Sequence, residues 1–216
     1  MLLSKGKKTG LVMLDGDAPS NSLQNAWLDE CDLFICADGA ANREYPRLPD
    51  AVIGDLDSLV NAPEGVPIHR MDDSNRTDGE KCVLYLSREQ CDRIVLLGGT
   101  GGRQDHHLVN LALPMSRPEE VMLAGEDFSA VAVWGRQSFK IPPGRGLSVF
   151  PLYGSAQGVS LRGVQFPLEC ADLAFTRGLT ASNRSVESSV EIEVLRGRLL
   201  LIVERREGDP LWQDAT

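Results

Sequence analysis

Four short apolar runs in the first hundred residues each stop at an aspartate or glycine turn, and this repetition constrains the chain more than any other feature. Residues 11–14 stop at Asp15-Gly16-Asp17, and residues 33–37 stop at Asp38-Gly39. Residues 51–53 stop at Gly54-Asp55, and residues 93–97 stop at a glycine cluster. A fifth run covers residues 120–124, and helical patterns lie between several of these runs. Continuous apolar strands alternating with helices predict a parallel α/β sheet. In such sheets ligands collect beyond the carboxyl ends of the strands. Here those ends carry Asp15, Asp17, Asp38, Asp55, Asp57 and the glycines.

The texture changes near residue 129, where glycine and proline become frequent and helical periodicity stops. Short strands are expected at 130–134, 146–151, 159–161, 190–194 and 199–203, with Arg196-Gly197-Arg198 as a tight hairpin between the last two. The expected architecture is therefore an N-terminal α/β domain over residues 1–127 and a smaller antiparallel β-sandwich over 128–216, with a loose tail after Glu207. A net charge of −9 weighs against a nucleic-acid surface, but not against a nucleotide reached through a metal. No apolar run is long enough to span a membrane. The basic start (Lys5, Lys7, Lys8) precedes an apolar stretch too short for a secretion signal. Five cysteines without a C-x-x-C pair fit reduced thiols and a cytoplasmic location.

Four segments carry chemistry. Asp55 and Asp57 are two apart, and in an extended segment both carboxylates point to one side, as Mg²⁺ requires; the same residues also make an ordinary Asp/Ser turn. Thr77 with Glu80 is a capping-box pattern, so a helix starts there with Asp78 in its first turn and Lys81 on the same face. That pattern serves equally for a well-capped surface helix with an ion pair. Gly98 to Gly102 followed by Arg103, Gln104, Asp105, His106 and His107 lies between a strand and an apolar helix. Glycines let backbone approach phosphates and an arginine grips them, although neither standard nucleotide fingerprint is present. Thr180-Ala181-Ser182-Asn183 is by itself only a polar loop. His69 reads as structural, no zinc spacing occurs, and no serine-nucleophile elbow occurs.

Taken together, the order and spacing of these segments resemble the thiamine pyrophosphokinase family. The resemblance spans residues 11–203 and is most specific over 102–111; Ala37 to Ala41 and Gly146 to Leu152 resemble family segments too. It implies ATP as co-substrate, Mg²⁺, and transfer of a diphosphate to the hydroxyl of thiamine. It also implies a homodimer with shared sites. Asp55, Asp57 and Asp78 would hold the metal, and Lys81, Arg103 and Asp105 would complete the catalytic set. Asp38, Thr77, Gly99, Gly101, Gly102, Arg103 and His106 would meet ATP. Asp73, Asn75, Ser182 and Asn183 would meet thiamine, with Phe166 or Trp134 stacking on its cationic ring. The chain departs from the family at Asn75, where an acid is usual. Rival readings are a different Mg²⁺-dependent nucleotide transferase and a binding relative without turnover.

Overall fold

A computed structural model of the chain describes residues 7–117, 121–152, 154–206 and 209. The chain divides into two compact units, one of residues 1–113 and 120–126, the other of 114–119 and 127–216.

The first unit holds strands β1 (Thr9–Met13), β2 (Leu33–Ala37), β3 (Ala51–Gly54), β4 (Ile68–Arg70), β5 (Arg93–Leu97) and β6 (Val121–Ala124). They lie in the order β6-β5-β1-β2-β3-β4, every pair parallel. The expected parallel sheet is present because β1, β5 and β6 are buried along their whole length. β4 was not anticipated: it is an edge strand whose three residues are all exposed, so no apolar pattern marks it. Strand order reverses on either side of β1, which places the switch point of the sheet between the carboxyl ends of β1 and β5.

Helix α1 (Asn21–Glu30) starts where the Ser20 side chain accepts the Leu23 N–H, and it buries Leu23 and Trp27, four residues apart on one face. Helix α2 (Asp78–Arg88) starts at the predicted capping box: Thr77 Oγ1 accepts the Glu80 N–H, and Glu80 Oε2 accepts the Thr77 N–H at 2.9 Å. It packs across β1, β2 and β3, burying Cys82, Val83 and Leu86. Each such aliphatic side chain contributes roughly 1.5–3 kcal/mol when fully buried. Helix α3 runs over Gln104–Ser116.

The second unit is antiparallel throughout: β7 (Phe128–Phe139), β8 (Gly146–Phe150), β9 (Ser155–Arg162), β10 (Leu168–Ala174), β11 (Asn183–Arg184) and β12 (Val190–Glu204). The hairpin expected at Arg196 to Arg198 is absent. Residues 190–204 form one long strand, with β7 along one edge and β9, then β8, along the other. Between Val194 and Leu199 the register shifts, and Gly197 takes φ 100 there. A Cβ on Gly197 would approach the Ser155 carbonyl oxygen to 2.8 Å, so the glycine marks a bulge in close contact rather than a chain reversal.

None of the five cysteines is paired. No helix among the described residues is long and apolar enough to cross a membrane.

Candidate active site

The site grows from three carboxyl ends of the first unit. Asp38 follows β2 directly, and the backbone there takes φ 27, a left-handed conformation that aspartate tolerates better than most residues. Its side chain is buried; Oδ2 accepts the Ser58 N–H at 3.3 Å, and Oδ1 has no partner. Burial pushes this carboxyl above its ordinary pKa, the Ser58 N–H opposes, and the charges of Asp78, Asp57 and Asp55 push it further up. Asp55 follows β3, and Asp78 opens α2. One oxygen from each of Asp38, Asp55 and Asp78 lies within 4.8 Å of the others.

Lys81 joins two of the three acids. Its side chain is only 2 % exposed, and its Nζ donates to Asp78 Oδ1 at 2.9 Å and Asp55 Oδ2 at 3.1 Å. Burial works against the ammonium charge, but the bonds to Asp78 and Asp55 outweigh it and raise the pKa. Reciprocally, the Lys81 bond holds the Asp55 carboxyl below its ordinary range.

Asp57 stands apart from the trio. The segment after β3 is not extended, because Leu56 takes φ 71; Asp57 is not among the three acids that meet, although it lines the same cleft as Asp55. Asp57 is exposed and accepts the Ser58 hydroxyl at 2.9 Å. Asp38, expected from the sequence to meet the nucleotide, is the third member of the cluster.

The glycine loop follows β5. Gly98, Gly101 and Gly102 all have positive φ, and the loop is bonded to the end of β1: Gly16 N–H to the Gly98 carbonyl at 2.7 Å and Asp17 N–H to the Thr100 carbonyl at 2.8 Å. Asn110, buried on α3, donates to the Gly99 carbonyl at 3.0 Å, and His107 Nδ1 accepts the Gly101 N–H at 3.2 Å. Arg103 and Asp105 form a two-bonded pair, Nη2 to Oδ2 at 2.7 Å and Nε to Oδ1 at 3.2 Å. Arg103 holds the Asp105 carboxyl down to about 2.

Two clefts open over these residues, of about 450 and 420 Å³. The first runs from Asp15 and Gly39 to Gly101 and Gly102; the second is lined by Asp55, Asp57, Asn75 and Thr77 among others. Ser58, Asp78, Arg103 and His106 line both. Thr77 has its hydroxyl engaged as the helix cap. Asp73 is tied by the Asn75 N–H at 3.0 Å and by Arg76. The Asn75 bond, helped by Arg76, keeps the Asp73 carboxyl below its ordinary pKa.

Ser182 and Asn183 belong to the second unit. Ser182 is exposed, with φ 57 and its N–H on Ser148 Oγ. Asn183 is buried. Its Oδ1 accepts from Phe166 N–H (3.0 Å) and Arg184 N–H (2.8 Å), and its Nδ2 donates to the Phe166 carbonyl (2.8 Å). That amide is engaged inside its own unit. The Phe166 ring is 60 % exposed, whereas Trp134 is half-buried on β7. Asn110, within the 102–111 segment, bonds the Gly99 carbonyl, and Asp15, one of the strand-end acids, is bonded by Arg43, which no motif marks.

The chain is similar to known proteins over both of its units. Residues 24–122 match the family model "Thiamin pyrophosphokinase, catalytic domain", and residues 137–199 match "Thiamin pyrophosphokinase, vitamin B1 binding domain". Thiamine pyrophosphokinase 1 of Arabidopsis thaliana is 25 % identical over 227 residues, covering 88 % of this chain and 84 % of the relative. The crystal structure of yeast thiamin pyrophosphokinase superposes with a TM-score of 0.78 at 20 % identity, covering 93 % of this chain and 87 % of that one. Thiamine pyrophosphokinase from Bacillus subtilis superposes at 0.77 with 22 % identity, covering 92 % and 100 %.

Proposed function

The chain belongs to the thiamin pyrophosphokinase family, and we propose from that premise that it transfers a diphosphate from ATP to the hydroxyl of thiamine, releasing AMP. The observation that carries this reading is the convergence of Asp38, Asp55 and Asp78, arriving from three separate ends of the fold, on one point.

Mg²⁺ fits that point. Three oxygens converge there, and the buried Oδ1 of Asp38 lacks any partner, which is costly unless a proton or cation meets it. Hard oxygen donors and no sulfur or imidazole suit Mg²⁺ over softer metals. Asp38, Asp55 and Asp78 would hold the ion, in place of the set Asp55, Asp57 and Asp78 expected from sequence. Bound there, it would neutralise charge on the phosphate oxygens.

The remaining roles follow from position. Lys81 keeps Asp55 and Asp78 at bonding distance and so fixes the shape of the trio. The loop of Gly99, Gly101 and Gly102 receives phosphates with backbone groups, and a side chain at 99 or 101 would collide with Leu123 or Asp17. Arg103, held by Asp105 on the wall that both clefts share, meets the charge that develops on the transferred group. His106 lines the same wall. Asp78 also lines both clefts and orients the thiamine hydroxyl toward the β-phosphorus. Asp105, with its carboxyl near 2, is a poor proton acceptor. Such chemistry needs positioning and charge neutralisation more than a strong base. The second cleft sets Asp55, Asp57, Asp78 and Glu80 beside Arg76, Lys81 and Arg103; its acids suit the thiamine cation, and Asn75 offers it a neutral amide.

A homodimer with shared sites fits the exposed Phe166, Phe175 and Leu179 of the second unit. The five unpaired cysteines favour a cytoplasmic location.

Incubation with thiamine, ATP and Mg²⁺, following AMP and thiamine diphosphate by chromatography, tests the reading. Both products should appear in equal amounts and neither without the metal. Nucleotide binding without either product would overturn it.

A further inference from the structure

Asp15 is one of two acids at this edge, with Asp17, that the reaction above does not use. It sits at the carboxyl end of β1, at the switch point of the sheet, and lines the first cleft. Arg43 pins it: Nη2 donates to Asp15 Oδ1 at 2.9 Å and to the Gly16 carbonyl at 2.8 Å. The other oxygen, Oδ2, lies over Gly39, where an added Cβ would come within 2.7 Å of it. Gly39 has an ordinary φ, so glycine is needed there for space and not for conformation.

We propose that Asp15, oriented by Arg43, reads the ribose hydroxyls of the nucleotide donor. This rests on the nucleotide reading of the first cleft. A carboxylate is acceptor-only, so it needs a donor, and the phosphates of a nucleotide offer none. Arg43 neutralises its charge, which lets it stand near a triphosphate without repelling it. Its place along the cleft selects the sugar over the base. Gly39 immediately follows Asp38 of the acidic trio, and Gly16 is bonded to the glycine loop, so Asp15 adjoins the phosphate end of the cleft. The group next to the phosphates is the ribose. Carboxylates reading ribose hydroxyls recur at nucleotide sites of parallel sheets. Asp17, two residues on, cannot do the same: its carboxylate packs against Gly101, where a Cβ would lie 2.0 Å away.

Calorimetric titration of the full chain with ATP, 2′-deoxy-ATP, 3′-deoxy-ATP and inosine triphosphate, with Mg²⁺ and without thiamine, tests this directly. The wild type should bind ATP about 10- to 100-fold more tightly than one or both deoxy analogues, the range of one hydrogen bond to a charged group. Asp15→Ala should weaken ATP to the level of the deoxy analogue and leave the ratio of ATP to inosine triphosphate unchanged. Arg43→Met, which unpins the carboxylate without removing it, should lose part of the same sugar discrimination. Thermal melting checks that each variant is folded. Retention of sugar discrimination in Asp15→Ala would overturn the proposal, and so would loss of base discrimination in its place. Wild-type protein that binds none of the four nucleotides would instead remove the nucleotide reading itself.

Discussion

Asp38 of the first unit and Asn183 of the second are both buried polar residues at the end of a short strand or loop motif, and they differ in one respect. Asn183 has its oxygen and its nitrogen bonded within its own unit, to Phe166 and Arg184. Asp38 leaves Oδ1 without a partner, in a left-handed backbone, facing two further carboxylates. Buried polar atoms are normally satisfied; among the several in the described residues that are not, Asp38 Oδ1 is the one carboxylate oxygen, beside two further acids where a cation would meet it. A polar motif in a sequence is therefore a statement about residue types. Whether its atoms are free for a ligand depends on the neighbours that folding brings.

The strongest way to sharpen that contrast is Asp55→Asn. It removes one charge from the trio at a half-exposed position, so kcat should fall by about 10²–10³-fold, as for removal of one preorganised charge-stabilising group. The melting temperature should stay close to wild type. Normal turnover would dissolve the metal assignment. Next comes Lys81→Met, which leaves Asp55 and Asp78 facing each other without a cation. Lys81 is buried but Asp55 and Asp78 are partly exposed, so the loss should be about 1–2 kcal/mol, read as a lowered denaturant midpoint, and Mg²⁺ should restore part of it. A variant that melts like wild type and does not respond to Mg²⁺ would show that the trio assembles without Lys81.

From the other side of the comparison, Asn183→Ala should cost about 1–3 kcal/mol of stability, because the Phe166 N–H and carbonyl lose their partner. The KM for thiamine should stay unchanged in the folded fraction. A raised KM with no loss of stability would break the contrast and return Asn183 to the substrate. The smallest effect concerns pH. The Asp105 carboxyl is held near 2, below its ordinary value of about 3.9. A depressed acid contributes its stability above the unfolded value and loses it as pH falls through the folded one. The pair with Arg103 is thus intact at any pH above about 4. The pH–rate profiles of wild type and Asp105→Asn should have the same shape between about pH 5 and 9. An inflection that only Asp105→Asn loses would make Asp105 a proton carrier.

The parallel sheet was legible because its strands are apolar along their whole length and stop at acids and glycines. The capping box at Thr77 was legible because it is local, formed within three residues. β4 was not, since an edge strand with three exposed residues carries no pattern. The bulge at Gly197 reads like a turn because the same glycine chemistry serves both, and only the partner β7, paired on either side of it, distinguishes them. In the site, residue types were legible and geometry was not. The positive φ of Leu56 between Asp55 and Asp57 is invisible in sequence, and so is the approach of Asp38 to Asp55 and Asp78.

The bonds from Leu14, Gly16 and Asp17 to the carbonyls of Leu97, Gly98 and Thr100 continue the β1–β5 pairing beyond the ends of both strands. Mechanically, this makes the glycine loop a stiff overhang of the sheet and not a free flap. Amides of such a segment should exchange with solvent only when the central strands themselves open, as members of one cooperative unit. The floor of the first cleft is then in its working shape before any substrate arrives, and filling the cleft requires little ordering of the backbone beneath it.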